Sequence, residues 1–88
     1  MKIIISPRAE KQLRKLPKID QIAIASKIRS LIEISSISGE EKLSGFKNIS
    51  RVRVGEYRIV YSRKKSEVYI VLISHRKDIY QLVKQLMG

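Results

Sequence analysis

The sequence predicts an α+β domain with the element order β-α-α-β-β-β-α. In this arrangement a small, mostly antiparallel sheet packs against an N-terminal helical hairpin, and a C-terminal helix follows. Apolar residues recur at helical spacing through residues 7–34 and alternate with polar residues from Ile49 onward. The chain has 88 residues, of which 43% are hydrophobic, so one globular domain spanning residues 1–88 is expected.

The N-terminal third predicts one strand and two helices. Residues 2–5 are rich in β-branched side chains and predict a short strand. Ser6 as N-cap, followed by Pro7 at the first helical position, is a helix-start signal. The first helix is expected to end at about Leu16, and a second to span about residues 18–34. The expected apolar face of the second helix consists of Ile22, Ala25, Ile28, Leu31 and Ile32.

The second half predicts a loop, three strands and a helix. Residues 35–48 are expected to form the loop, and residues 51–54, 57–62 and 67–74 the strands. The third strand contains the nearly continuous apolar run VYIVLIS, which is typical of a strand covered on both faces. The final helix is expected over about residues 78–87, with its apolar residues on one stripe.

The segment RVRVGEYR, residues 51–58, predicts a hairpin whose two faces differ in chemistry. Gly55-Glu56 is a two-residue loop with glycine first, which favours a type II′ turn. The resulting register pairs Arg53 with Arg58 and puts Arg51 on the same face, with no carboxylate among the three. A shift by one residue would bury all three guanidinium groups, so this register is strongly favoured. The other face is expected to be buried and to carry Val52, Val54, Tyr57, Ile59 and Tyr61.

Three arginines on one face are interpreted as a phosphate-binding surface. Two arginines directly opposite each other destabilise a hairpin mildly, and lysine or threonine would protect a sheet edge equally well. Arginine, however, supplies forked donors that match phosphate oxygens. The alternative interpretation is a solvated edge whose cations discourage aggregation.

The overall charge indicates a polyanionic partner. The formal net charge is +11, and eight basic residues but only one acid lie between positions 42 and 65. Nucleic acid is the first candidate, ahead of an acidic protein and a membrane surface. No cysteine and only one histidine are present, so neither a metal site nor a cofactor is expected. The apolar run in MKIIIS is too short for a signal peptide or membrane span, which predicts a cytoplasmic protein.

A second candidate cluster is SHRKDIY, residues 74–80, between the third strand and the last helix. His75 is a candidate acid or base, because histidine commonly exchanges a proton near neutral pH. The alternative for His75 is a hydrogen-bonded residue at a strand end. Arg76 alone could be ordinary surface charge, and its position beside His75 makes it a candidate. Tyr80 falls beside the apolar stripe of the predicted helix, so its ring is not needed to fill the core.

Together these segments resemble the RelE/ParE toxin family, in particular its RelE-like mRNA interferase branch. The matching features are LSG at residues 43–45, RVRVGEYRIVY at residues 51–61 and HRKDIY at residues 75–80. The resemblance implies the toxin of a toxin–antitoxin pair, a metal-independent endoribonuclease that enters the ribosomal A site and cuts mRNA. It also implies an acidic antitoxin that wraps the toxin and blocks its basic face, in a complex that forms a higher oligomer.

The resemblance also implies roles for individual residues. Arg51 and Arg53 fall where the family often has lysines, and Arg58 matches the arginine after the hairpin tyrosine. Arg76 or its neighbour matches the arginine near the end of the last strand, and Tyr80 matches the C-terminal tyrosine. Because arginine stays protonated at neutral pH, the arginines are expected to stabilise charge during attack by the 2′-OH. Tyr80 could orient the 2′-OH, act as base or stack on a base.

Two other function classes stay open. The ParE-like branch shares the fold and poisons DNA gyrase without catalysis. A catalytically weakened homologue that only binds RNA or antitoxin is the second, because arginines stand where lysines are common.

Overall fold

The computed structural model describes residues 2–33, 40–42, 48–64, 66–75, 77–78, 81 and 84–85. The described residues confirm the predicted α+β class. Their helices and strands, in chain order, are β1 (Lys2–Ile5), α1 (Pro7–Arg14), α2 (Lys18–Glu33), β2 (Glu41–Lys42), β3 (Ile49–Val54), β4 (Tyr57–Arg63) and β5 (Glu67–His75).

The strands form one mixed sheet in the order β1-β5-β4-β3-β2. β1 pairs with β5 in parallel, from Lys2 opposite Glu67 to Ile5 opposite Ile70. The other three neighbouring pairs are antiparallel, as predicted for most of the sheet. β1 therefore lies at one edge of the sheet, beside β5, although the two strands are far apart in the sequence.

Helix α1 begins where the sequence predicts and is tied to β5. The Ser6 hydroxyl accepts a hydrogen bond from the backbone N–H of Ala9 at 3.0 Å and donates one to the carbonyl of Val71 at 2.7 Å. The β5 strand is bulged at Val71, where the pairing with β4 shifts by one residue. The Gln12 side-chain oxygen accepts a hydrogen bond from the backbone N–H of Ile73 at 2.8 Å. These bonds fix the helix against the strand that borders the candidate site.

The core lies between the two helices and one face of the sheet. Ile22 is 60% exposed, whereas Ile24 is completely buried, so the predicted face of α2 was wrong at this point. Apolar residues lie around much of α2, and their spacing alone allowed more than one face to be chosen. The buried cluster consists of Ala9, Ile24, Ile28, Leu31, Val52, Ile59, Tyr61, Val68, Ile70 and Ile73.

Strand β2 lies inside the segment that was predicted to be a loop, and this correction matters for the site. Two residues are too few to show an alternating pattern, so the sequence could not reveal the strand. The predicted helix over residues 78–87 lies mostly outside the described residues, of which Gln81, Lys84 and Gln85 are helical. Among the described helices, none has the combination of length and apolar character that crossing a bilayer requires.

Candidate nucleic-acid interface

The hairpin of β3 and β4 has the register that the sequence predicts. Val54 pairs with Tyr57, and Arg53 pairs with Arg58. Gly55 has a φ of 59°, whereas Glu56 does not have a positive φ. A positive φ at the first central residue only is the pattern of a type II′ turn. The turn therefore fixes which side chains share a face.

Arg51, Arg53 and Arg58, which we call the arginine face, line one depression of the surface together with Glu41. Arg53 is exposed, and its Nε donates a hydrogen bond to the Gly55 carbonyl at 3.3 Å. Arg58 is half-buried, and its Nη1 donates to the Tyr57 carbonyl at 3.3 Å. Both contacts are made to backbone oxygens at or next to the turn, and they help to orient the two guanidinium groups.

A carboxylate also lies on this face, contrary to the expectation of three arginines without one. Glu41 stands opposite Arg51 in the β2–β3 pair, and Nη2 of Arg51 donates to Oε2 of Glu41 at 2.8 Å. The hydrogen bond and charge of Arg51, with a smaller effect from Arg58, lower the pKa of Glu41 from its ordinary value. Glu41 is therefore ionised at neutral pH, and the face combines three cations with one anion.

Farther from the turn, the same face of the sheet carries buried apolar side chains. Val60 pairs with Arg51 on one side and with Leu72 on the other, and both apolar residues are fully buried. Leu72 and its neighbour Ile73 point to opposite faces of the sheet, and both are buried. The prediction that this strand is covered on both faces is confirmed here.

The β4–β5 register places His75 on the opposite face from the arginines. His75 pairs with Tyr57, whereas Arg58 pairs with Ser74. The rings of His75 and Tyr57 meet edge to face, with centroids 6.0 Å apart and planes at 84°. Nδ1 of His75 accepts a hydrogen bond from the backbone N–H of Lys77 at 3.2 Å, so the proton of a neutral ring lies on Nε2. The structure brings the three arginines together and does not place His75 among them.

Two predicted site residues, Arg76 and Tyr80, lie outside the described residues, as does the LSG motif at residues 43–45. The roles expected of Arg76 and Tyr80 therefore stay predictions. Within the described parts of the chain, no three histidine or acidic side chains gather closely enough to hold a metal ion.

Glu40 anchors the start of β2 from the helix side of the sheet. Its carboxylate accepts a hydrogen bond from the hydroxyl of buried Tyr61 and lies 3.5 Å from Nη2 of Arg63. The guanidinium carbon of Arg63 is 5.8 Å from the centre of the Tyr61 ring, within cation–π range. Burial, followed by the hydrogen bond to Glu40, raises the pKa of Tyr61 well above its ordinary value. The phenol consequently stays protonated and keeps donating to Glu40.

Glu40 and Glu41 were not among the site residues predicted from the sequence. Both belong to the segment that was predicted to be a loop, where no periodicity assigns side chains to faces. One signal was available, because the two adjacent acids come directly before the basic region of residues 42–65. An acidic pair at the border of a basic segment can supply the ion-pair partners of that segment.

The fold and the arginine face define a class, that of small basic proteins built like RelE toxins. A chain of the RelB–RelE antitoxin–toxin complex from Methanococcus jannaschii matches with a TM-score of 0.74 and 24% identity, over 90% of this chain and 96% of that chain. The isolated E. coli RelE toxin matches with a TM-score of 0.72 and 24% identity, over 97% of each chain. A YoeB dimer from Staphylococcus aureus matches with a TM-score of 0.74 and 21% identity, over 86% of this chain and 97% of that chain. At these identities the likeness establishes the fold.

The family itself follows from the sequence. Residues 3–80 match the family described as ParE toxin of type II toxin-antitoxin system, parDE. The chain therefore belongs to the RelE/ParE family of toxins of type II toxin–antitoxin systems, which confirms the resemblance carried by its motifs. A comparison with curated proteins found no match.

Proposed function

We propose that this toxin is a metal-independent endoribonuclease that cuts mRNA in the A site of the ribosome. The observation that carries the proposal is the arginine face, on which the hairpin register holds Arg53 directly opposite Arg58. Mutual repulsion disfavours such a pair, and a phosphate bound between the two guanidinium groups would offset that repulsion. The likeness of the fold to RelE supports this branch of the family.

The proposed reaction begins when the 2′-oxygen of a nucleotide attacks the adjacent phosphorus. A base takes the proton of the 2′-OH, and the 5′-oxygen of the next nucleotide leaves with a proton from an acid. Negative charge builds on the two non-bridging phosphate oxygens, and Arg53 and Arg58 stabilise it. One preorganised donor of this kind commonly lowers a barrier by about 3–4 kcal/mol. Arg51 holds the flanking phosphate.

Proton transfer belongs to other residues, because arginine stays protonated at neutral pH. His75 and Tyr80 are the candidates named from the sequence, and Arg76 is the sequence candidate for additional positive charge. Glu41 is a third candidate, since its ionised carboxylate lies on the arginine face. Cleavage rates of His75→Ala, Tyr80→Phe and Glu41→Gln over a range of pH separate the three. Loss of the base removes the rise of the rate with pH, whereas loss of the acid removes its fall.

An acidic antitoxin is the proposed protein partner. Several solved structures with this fold are complexes of RelE with RelB antitoxins. The net charge of +11 favours an acidic chain that covers the arginine face. We place the toxin in the cytoplasm, where ribosomes and mRNA meet, and expect the complex with antitoxin to form a higher oligomer.

Inhibition of DNA gyrase without catalysis is the second candidate function. The description of the matching family favours it, since that description names the ParE toxin. The position of His75 on the face opposite the arginines also fits a protein that binds without cutting. A catalytically weakened homologue that binds RNA or antitoxin would share these features.

Primer extension on ribosome-bound mRNA after induction of the toxin tests the proposal. We expect new 5′ ends within codons, and none when Arg53→Ala and Arg58→Ala are combined. Loss of DNA supercoiling by gyrase, with intact mRNA, would instead establish the second function. Intact mRNA together with normal supercoiling would leave the binding homologue as the correct description.

A further inference from the structure

We infer that the outer face of α2 is a docking surface for an amphipathic helix of an acidic partner chain. The surface consists of Ile19, Ile22, Ala23 and Ser26, all of them exposed, which we call the α2 stripe. The proposed antitoxin is the natural source of an acidic helix, and the inference rests on the proposed function in that respect alone. The α2 stripe is a second surface, separate from the arginine face.

The α2 stripe has the spacing of one helical face. Its members stand at i, i+3, i+4 and i+7, so their side chains are neighbours on the helix surface. Ile19 is 76% exposed and Ile22 is 60% exposed, more than any other large hydrophobic side chain among the described residues. Single exposed apolar side chains are ordinary in soluble proteins. Two isoleucines beside an alanine on one stripe instead form a contiguous apolar patch.

The opposite face of α2 already serves the core of the protein. Ile24, Ile28 and Leu31 are buried and belong to the core cluster shared with the sheet. A helix that carries apolar residues on all sides is normally covered on all sides. The sheet covers one side of α2, whereas the α2 stripe on the other side stays exposed.

Helix α1 shows how a solvated face is built in the same helical hairpin. Four charged side chains are exposed on it, namely Arg8, Glu10, Lys11 and Arg14. Glu10 and Arg14 also form an ion pair with each other. The outer face of α2 carries isoleucine, alanine and serine in place of such charges. Contact with water alone therefore does not account for the composition of the α2 stripe.

The charges beside the α2 stripe favour an acidic partner. At 3.6 residues per turn, Lys18 and Arg29 fall along one side of the stripe, and Lys27 and Asp20 fall along the other. Three cations and one acid thus border the apolar residues, and glutamates beside the apolar stripe of a partner helix would meet these cations. An antiparallel pair of α2 helices from two copies would instead bring Lys18 of one copy close to Arg29 of the other. A net charge of +11 on each copy adds to that repulsion.

The small residues of the α2 stripe suit a helix in particular. The distance between two packed helices depends on the side chains at their contact. Ala23 and Ser26 allow the partner helix to approach closely, while Ile19 and Ile22 supply the apolar contact.

The α2 stripe and the arginine face lie on opposite sides of the molecule. The core cluster, which includes Ile24 and Ile28 of α2, contains Val52 and Ile59 from the hairpin. These hairpin residues alternate with the arginines, which therefore point away from the helices. A helix bound to the α2 stripe leaves the arginine face open, so an acidic chain needs a separate segment to cover the arginines.

A designed acidic helix is the probe that tests this surface. The peptide has about 28 residues, long enough to be helical by itself, with leucine on one stripe and glutamate and alanine elsewhere. One leucine is replaced by tryptophan, and because the toxin contains no tryptophan, the signal comes from the peptide alone. We expect binding with a blue shift of the emission as the ring leaves water. A second peptide with glutamine in place of the leucines keeps the charge and should show no shift.

Variants of the toxin locate the binding site. Ile19→Ala combined with Ile22→Ala should weaken binding by about tenfold or more, because the main apolar contacts are lost. Alanine favours a helix more than isoleucine does, so α2 should stay folded, which circular dichroism checks. Arg53→Gln combined with Arg58→Gln is the control and should weaken binding much less at moderate salt. Equal losses from the two double variants, or no binding by the unaltered chain, would overturn the inference.

A matched pair of charge variants tests the border of the α2 stripe. Lys27→Gln combined with Arg29→Gln should weaken peptide binding by about two- to fivefold, the range expected for exposed ion pairs. Lys11→Gln combined with Lys15→Gln changes the net charge equally and should have a smaller effect. An equal or larger effect of the α1 pair would contradict the assignment.

Sedimentation velocity tests the other occupant, a second copy of this chain. We expect the unaltered protein to stay monomeric. Self-association that is abolished by the double alanine variant would overturn the inference in favour of the second copy. Neither RNA nor cleavage enters any of these measurements, so failure of the endoribonuclease proposal would not change their outcome.

Discussion

The choice of arginine over lysine at the hairpin determines what these side chains can contribute. Arginine offers two parallel donors to a phosphate but does not give up a proton, whereas lysine is a compact charge that can. The geometry of Arg53 opposite Arg58 suits the first use. The proposed catalysis on this face would therefore combine charge stabilisation by arginine with proton transfer by a different group.

Replacement of Arg58 tests charge stabilisation. We expect Arg58→Ala to lower the rate of mRNA cleavage by about 100- to 1000-fold, the usual effect of losing one preorganised donor. Arg58→Lys should recover only part of that loss, because lysine does not make the forked contact. Single-turnover cleavage on stalled ribosomes provides the measurement. Arg29→Ala, which removes an exposed arginine from α2, is the control. Undiminished cleavage by Arg58→Ala would exclude Arg58 from the site.

The pH dependence of RNA binding tests the state of Glu41. Its pKa is lowered, chiefly by the hydrogen bond from Arg51, so the ion pair is intact above the ordinary glutamate range near pH 4.5. As the pH falls through the lowered pKa, Glu41 becomes neutral and stops competing for Arg51, while RNA phosphates stay charged. Affinity for RNA should therefore rise on acidification in the unaltered chain. Anisotropy titrations of Glu41→Gln should show a smaller rise, and identical profiles for the two proteins would count against the competition.

The sequence alone predicted which residues share a face where polar and apolar residues alternate along one hairpin. Two valines, a tyrosine and three arginines fit only one register, and that register is observed. Glu41 was not predictable, because its place depends on a strand too short to have a pattern. His75 was predicted to belong to the site because it lies close in sequence to other candidate residues. Consecutive residues of a strand point to opposite faces, however, and the observed register puts His75 on the face opposite the arginines. Proximity in sequence therefore does not show that residues share a site.

At the level of elements, the hairpin turn sets the arrangement of the site. Gly55 has a φ of 59°, a value that side chains with a Cβ rarely adopt. A Cβ added there would meet no atom within 4 Å, so any cost of a substitution lies in the backbone. A substitution at Gly55 therefore measures the cost of the backbone conformation without a steric clash of the side chain.

We expect Gly55→Ala to destabilise the protein by roughly 1–3 kcal/mol, the usual cost of a strained backbone residue. Gly55→Asn should cost less, because asparagine tolerates a positive φ better than alanine. Urea unfolding followed by circular dichroism measures both. Lys64→Ala, an exposed substitution after β4, controls for general effects. Stability of the alanine variant equal to that of the unaltered chain would show that the turn is not strained by a Cβ.

The observed helices and strands differ from the predicted ones where contacts between distant parts of the chain determine the structure. The N-cap of α1 was predicted correctly because the signal lies in two adjacent residues, Ser6 and Pro7. Packing against the sheet determines which face of α2 is buried, because the sequence of α2 offers more than one apolar stripe. The bulge at Val71 has no local sequence signal, although it delivers the carbonyl that Ser6 binds.

Considered as a whole, the molecule carries its excess charge over more than one surface. Besides the arginine face, exposed basic residues line a depression along α1, where Arg8, Lys11 and Lys15 lie. Net charge attracts any polyanion at long range, whereas bound phosphates release counterions only where contact is made. The salt dependence of RNA binding can therefore locate the contact surface.

Combining Arg53→Gln with Arg58→Gln should reduce the slope of log affinity against log salt concentration by about 0.7, the value for one lost phosphate contact, because the two arginines are proposed to share one phosphate. Combining Lys11→Gln with Lys15→Gln changes the net charge equally and should leave the slope nearly unchanged. Fluorescence titrations from low to moderate salt give both slopes. A larger change from the lysine pair would move the main RNA contact to α1.

The pairing of β1 with β5 has a consequence for how a cell makes this protein. Ser6 is bound to Val71, 65 residues later, and the strand before Ser6 pairs with the strand that contains Val71. During synthesis the first residues emerge long before their partner strand exists. The sheet is complete, and the arginine face has its full backing, only after β5 has left the ribosome. A toxin that acts on translating ribosomes would thus lack a complete arginine face until β5 has emerged from the ribosome that is making it.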